Sequence, residues 1–257
     1  MKRNCFHLEF EAPGIARAAL PGQFVMIRSG EGLHPLLRRP FSIHGAGNRR
    51  VEVLYEVVGQ GTELLSNIKP GELLDVIGPL GNGFSCNSRS VNHGQILVAG
   101  GMGAAPLLFL AEKMGEIKTS GLHSPVNKGR GRIKVLVGAR TKGHVLCEKE
   151  FKKCGCDVTI ATDDGSRGFK GLVTDLLASI LSTVNRQPST IFACGPKPML
   201  KAVSGIARKH GLAAQLSLEA HMACGIGACL GCVINTKTGY RRVCKEGPVF
   251  DSSDIIW

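Results

Sequence analysis

The chain has few aromatic residues: Phe, Tyr and Trp make up 5% of its 257 residues, with one Trp and two Tyr. No basic stretch is interleaved with aromatic rings, so the stacking platform of a single-stranded nucleic-acid groove is missing. Long apolar runs are also missing. The longest uncharged one, Ile96 to Ala111, has 16 residues and is broken by three glycines and a proline. A bilayer-spanning helix needs roughly 20 apolar residues, so no membrane contact is expected. No secretory leader is visible, because Glu9 and Glu11 interrupt any apolar stretch behind Lys2 and Arg3. The eight histidines show no paired metal spacing, and the chain has neither an internal repeat nor a low-complexity tract.

Glycine and positive charge are abundant. The 34 glycines are roughly double the usual share of about 7%, which suggests loops that approach ligands closely. Lys and Arg outnumber Asp and Glu by 32 to 20, for a formal charge of +12. They are spread along the chain, with one mild concentration at Lys128, Arg130 and Arg132 in an exposed loop expected over 116–132. That distribution favours anionic cofactors and a solvated surface over nucleic acid. The ten cysteines are too sparse for a disulfide scaffold. Cys5, Cys86, Cys147, Cys154, Cys156 and Cys194 follow no regular spacing and read as reduced thiols in a cytoplasmic protein.

The remaining four are patterned. Cys224, Cys229 and Cys232 share one loop, and Cys244 follows after eleven intervening residues. C-x4-C-x2-C…C is the spacing that holds a plant-type [2Fe–2S] cluster. Structural zinc usually takes two separate knuckles instead. Gly225, Gly227 and Gly231 alternate with the ligands, letting backbone N–H groups approach the sulfurs. His221, three residues before Cys224, is not needed as a ligand.

Residues 1–90 read as short strands punctuated by turns, a small antiparallel β barrel. Phe24–Ile27, Val51–Val58 and Leu73–Ile77 are the strand candidates, and Thr62 to Ile68 is a short helix with Thr62 as N-cap. From 91 to 212 the pattern is α/β. Strands are expected at 95–99, 133–137, 157–161 and 190–193, with helices at 104–115, 172–181 and 199–210. That alternation argues for a doubly wound parallel sheet. Residues 213–257 carry the cysteines as a small C-terminal domain.

Within this frame, Arg39-Pro40-Phe41-Ser42 offers a guanidinium fork for a pyrophosphate, a ring to pack on a flavin and a hydroxyl to bond it. Gly59-Gln-Gly61-Thr62 opens a helix whose N–H groups favour phosphate. Gly100-Gly101-Met-Gly103 links a buried strand to a helix and suggests a dinucleotide site, although it is not the full fingerprint. Asp163 or Asp164 is placed to hold ribose hydroxyls, with a polar turn as the competing reading. Cys194, before Gly195-Pro196, lies near the same crevice, where it would touch a nicotinamide or simply pack in the core. Arg167 would meet a 2′-phosphate or stay solvated.

In this order the motifs resemble the ferredoxin-reductase-like flavoproteins. The segments Met222 to Val233 and Arg242 to Phe250 are most similar to the electron-transfer subunits of NAD-dependent (type B) dihydroorotate dehydrogenases. The resemblance covers nearly the whole chain. It implies an FAD-binding barrel (1–90), an NAD-binding domain (91–212) and a [2Fe–2S] domain (213–257). It also implies a heterotetramer with two FMN-containing catalytic subunits, in which electrons from dihydroorotate pass through the cluster and FAD to NAD+ in pyrimidine (UMP) biosynthesis. Arg39, Pro40, Phe41 and Ser42 match the family's first FAD motif. Leu54, Tyr55, Glu56, Gly61 and Thr62 match its further FAD contacts, and the four cysteines match its cluster ligands. The first strand looks shortened, so an altered barrel edge is expected. Related subunits of NADH-dependent ferredoxin–NADP+ oxidoreductases or sulfide dehydrogenases often carry Asp in place of the first cysteine, so Cys224 favours the former group. A colourless zinc- or thiol-based binding protein is the alternative from another class.

Overall fold

The computed structural model describes residues 4–30, 34–85, 94–120, 133–183 and 190–257. Cys86 and positions 121–132 of the basic stretch lie outside the described residues, whereas 116–120 continue a helix.

Period-two alternation builds the first sheet. In β4 (Arg50–Glu56), Val51, Val53 and Tyr55 are buried while the residues between them reach solvent. β4 lies between β1 (Cys5–Glu11) and β3 (Arg39–Gly47). β2 (Phe24–Ile27), buried at all four positions, joins β3 to β5 (Val76–Leu80), giving an antiparallel sheet of order β1-β4-β3-β2-β5. All seven residues of β1 pair in register with β4. β5 starts at Val76 rather than Leu73, whose side chain is fully exposed.

α1 (Pro13–Ala18) flanks this sheet, and α2 (Gln60–Ser66) begins two residues earlier than its Thr62 suggested. Gly59 is the N-cap. The Thr62 hydroxyl sits one turn inside, accepting from the N–H groups of Val58 (2.9 Å) and Gly59 (3.2 Å) and donating to the Gly59 carbonyl. A threonine three residues into a helix can reach back to the cap in this way, so the residue that looks like a cap is its reciprocal partner.

The second sheet has β6 (Gln95–Gly100) at its centre, buried along its whole length as a central parallel strand should be. β7 (Lys134–Ala139), β8 (Asp157–Thr162) and β9 (Phe169–Lys170) follow on one side, β10 (Thr190–Cys194) and β11 (Ala213–Ser217) on the other. These strands pair in parallel, and antiparallel β14 (Val249–Asp251) closes the β11 edge. The sheet therefore runs past residue 212 and borrows two strands from the cysteine-bearing segment. Strand order reverses at β6, which places a crevice at the carboxyl ends of β6 and β10.

α3 (Ala104–Ser120) is apolar on all sides of its first two turns, Ala104 to Ala111. Such a helix must be covered all round, and it is: most of its side chains enter the core of the parallel sheet, while Phe109 enters the core of the first sheet with Val25, Phe41 and Tyr55. α4 (Glu148–Lys153) packs on β8 on the α3 side of the sheet. α5 (Val173–Thr183) and α6 (Lys197–Lys209) cover the opposite face. β12 (Val233–Thr236) and β13 (Gly239–Arg242) form a separate hairpin. Among the described residues no helix is long and apolar enough to cross a membrane.

Candidate functional site

Arg39 opens β3 opposite Ile27 and donates from Nη1 to the Leu37 carbonyl at 2.6 Å. Its guanidinium lies against the first turn of α2, over Gly61. A Cβ added there would come within 2.9 Å of Arg39 Nε and 3.3 Å of Ser29 Oγ, so a side chain at this position would push the guanidinium aside. The buried Ser29 hydroxyl has no hydrogen-bond partner among the described residues. A fixed cation, an orphaned hydroxyl and a helix start converge, which fits a phosphate group. Pro40 and Ser42 are half-buried. Phe41 points the other way, into the core, edge-on to buried Tyr55 with ring centroids 5.3 Å apart. Its ring is therefore a core element of the strand, not an open platform. Leu54 packs toward the second sheet, and Glu56 reaches a cavity between the two sheets.

That cavity, of about 660 Å³, lies at the crevice where strand order reverses. Gly100, Gly101, Arg140, Asp163, Pro196 and Glu219 are among its lining. Gly103 is buried beneath, pressed against the Cys194 carbonyl, and Cys194 does not reach the cavity wall. Burial, reinforced by the Glu219 charge, pushes the Cys194 thiol up to about 12, so it stays protonated and packs as a core residue. The two aspartates separate cleanly. Asp163 faces the cavity, whereas Asp164 accepts from Ser166 N (2.9 Å) and Oγ (2.6 Å) and only shapes the turn. Arg167, half-exposed, pairs with Glu148 at 2.7 Å. Glu219 was not singled out from sequence. It is a charged residue just beyond a buried strand, and desolvation raises its pKa.

The third region is the cysteine loop. The gap between Cys232 and Cys244 is the β12–β13 hairpin, which carries the chain out and back, so that Cys244 N lies 3.4 Å from Cys232 Sγ. Cys232 and Cys244 are buried, Cys224 is half-buried and Cys229 is exposed. Backbone N–H groups of Cys229, Ile226 and Ala228 converge on Cys224 and, with the Cys229 thiol, draw its pKa down to about 6 against desolvation. Cys244 is pushed up to about 12, first by burial and then by its neighbour Cys232. The thiols neighbour one another in two pairs, Cys224 with Cys229 and Cys232 with Cys244, and one thiol that favours the thiolate beside another that resists it is a donor set that bound cations would complete. Arg242 clamps the loop by donating from Nη1 to the Gly227 carbonyl (2.9 Å) while its guanidinium pairs with Glu246. That pairing holds the Glu246 carboxyl at about 2. The clamp, too, was not read from sequence.

These regions meet through one strand. Gly225, at φ +73°, lies on Met26 of β2, where an added Cβ would come within 2.5 Å of Met26 Cγ. Met26 pairs directly with Pro40 of the Arg39–Ser42 motif. The cysteine loop therefore contacts the strand next to the one that carries the phosphate-fitting motif.

Comparisons with known proteins agree with this layout. A family model described as the iron–sulfur cluster binding domain of dihydroorotate dehydrogenase B matches residues 219–256. An oxidoreductase NAD-binding domain model matches 97–205. The chain is 41% identical over 260 residues to a dihydroorotate dehydrogenase B (NAD(+)) electron transfer subunit from Desulforamulus reducens, covering 99% of this chain and 93% of the relative. It is 38% identical over 257 residues to the protein of that description from Fusobacterium nucleatum, covering 98% and 93%. Among solved structures, it resembles an NADH-dependent reduced ferredoxin–NADP oxidoreductase, studied for flavin-based electron bifurcation. That match has a TM-score of 0.83 and 31% identity, and covers 100% of this chain and 86% of that one. A ferredoxin–NADP+ reductase from Plasmodium falciparum shares the fold, with a TM-score of 0.62 at 18% identity over 81% of this chain and 85% of that one.

Two substitutions test the geometry. Asp163→Ala should raise the KM for NADH about tenfold, the loss of one hydrogen bond to a charged group, while Asp164→Ala leaves it unchanged. Steady-state kinetics with an artificial electron acceptor separates them. Gly225→Ala combines a left-handed backbone with the Met26 clash, at a cost on the order of 1–3 kcal/mol. Iron per chain should fall while flavin content holds.

Proposed function

The chain belongs to the family of dihydroorotate dehydrogenase B electron-transfer subunits, and from that membership we propose that it relays electrons from a dihydroorotate-oxidising catalytic subunit to NAD+. The observation that carries the reading is the contact of the cysteine loop with β2, one strand away from the Arg39–Ser42 motif. Cys224, Cys229, Cys232 and Cys244 would hold a [2Fe–2S] cluster. Arg39, Ser42, Gly61 and the Ser29 hydroxyl would hold the FAD, with its pyrophosphate on Arg39. Gly101 and Asp163 would line the NAD+ site. When bound, the cluster passes electrons singly, and the flavin takes them singly and delivers them in pairs to nicotinamide.

The chain's own residues prepare each step. Arg39 fixes a phosphate beside α2. Asp163 offers a carboxylate to ribose. The N–H groups around Cys224 favour thiolate and would set the potential of the bound centre. Exposed Ile226 and Leu230 lie in the loop with exposed Cys229, and Leu230, Val233 and Tyr240 line one shallow hollow beside it. This apolar rim is suited to docking the catalytic partner, with the loop at the interface. The expected assembly pairs two such chains with two FMN-containing catalytic subunits in the cytoplasm. Three functional units follow, 1–90 for FAD, 91–212 for NAD+ and 213–257 for the cluster, the last lending β11 and β14 to the parallel sheet.

A second reading, an FAD and [2Fe–2S] subunit of an NAD(P)H:ferredoxin or sulfide oxidoreductase, is favoured by the full-length likeness to the ferredoxin–NADP oxidoreductase. Dihydroorotate-dependent NAD+ reduction decides between them. With the chain co-expressed beside an FMN catalytic subunit, turnover should appear in the pair and not in the catalytic subunit alone, and Cys229→Ala should abolish it while keeping FAD. An inactive pair with full iron and flavin content would favour the second reading.

A further inference from the structure

We propose that His7, His44 and Glu52 form a binding site for one borderline divalent transition cation, of which zinc is the type, distinct from the cysteine loop. The three residues come from three adjacent strands, β1, β3 and β4, so the spacing that betrays a helical or knuckle site is absent from the sequence. Sheet geometry assembles them instead. His7 pairs with Leu54, and Glu52, two residues before it, projects from the same face of β4. His44 is the extra residue where the β3–β4 register shifts, Ile43 facing Val53 and Gly45 facing Glu52. Such an irregularity re-aims one side chain. As a result, one ligand atom from each of the three residues lies within 4.8 Å of the others.

The local chemistry suits a cation. Nδ1 of buried His44 lies 3.2 Å from the Ala105 carbonyl oxygen, which can only accept. The proton is therefore on Nδ1, and Nε2 keeps its lone pair. A ring N–H bonded to a backbone carbonyl is the usual support of a metal-bound imidazole. His7 Nε2 lies 2.8 Å from Glu52 Oε2, and the His7 and His44 rings meet edge to face at 5.6 Å. Glu150 of α4 adds a second negative charge toward His44, so this corner is anionic within a basic protein. Two imidazoles and a carboxylate select a zinc-class ion over magnesium or calcium. An ion held here would fix His44, through it the carbonyl of Ala105, and so the first turn of α3 just behind the Gly101–Gly103 turn of the nucleotide cleft.

The test uses the intact protein with its flavin and iron. After dialysis in chelator-treated buffer it is titrated with zinc chloride, gel-filtered, and assayed for zinc and iron by elemental analysis. One zinc per chain is expected beyond unchanged iron, with X-ray absorption at the zinc edge showing nitrogen and oxygen neighbours and no sulfur. His7→Ala and Glu52→Gln replace half-exposed side chains and should keep flavin and iron, yet weaken zinc roughly tenfold or more. His210→Ala, at the end of α6, should bind as the parent does. Zinc bound equally by His7→Ala, zinc with sulfur neighbours and matching iron loss, or no zinc retained would each overturn the proposal.

Discussion

The seating of the cysteine loop on β2 is the constraint on which the other arrangements depend. Gly225 occupies a left-handed conformation directly on Met26, and any side chain there would lift the loop from the sheet. Because Met26 pairs with Pro40, the loop rests on the strand that neighbours the flavin motif. The chain's end is secured twice more. The β12–β13 hairpin returns Cys244 to Cys232, and β14 pairs with β11 on the edge of the parallel sheet. The cysteine segment is thus tied to both sheets at once.

α3 supplies the complementary constraint. It is apolar all round because it is covered by both cores, with Phe109 facing one and Leu107, Leu108 and Leu110 facing the other. The Gly101–Gly103 turn that opens it and the sheet that carries Arg39 and Glu56 therefore cannot move independently. The cleft between them is held by packing as much as by the polar residues lining it.

The parts legible in the sequence were those whose chemistry imposes a local spacing. Four thiolates on one cluster demand a short loop and a fourth residue beyond, and Cys224 to Cys244 carry that pattern. Strand–helix alternation was equally legible, since burial on both faces makes β6 and β10 continuous apolar runs. Long-range contacts were not legible. Nothing local distinguishes Phe41 turned into the core from Phe41 on a ligand, or Asp163 at the cavity from Asp164 in the turn. Thr62 looked like a cap because its hydroxyl serves the cap from three residues inside the helix. The Arg242 bond to the Gly227 carbonyl, the attachment of β11 and β14, and the meeting of His7, His44 and Glu52 all depend on contacts between segments apart in sequence.

The central claim is that electrons move between the cluster loop and the flavin motif, which lie on neighbouring strands. Anaerobic addition of NADH to the isolated chain, followed by absorbance for the flavin and paramagnetic resonance for the cluster, tests it without any partner. The account predicts flavin bleaching followed promptly by the signal of a reduced [2Fe–2S] centre, with Cys229→Ala retaining only the bleaching. Full bleaching with the cluster still oxidised after many turnover times would contradict it.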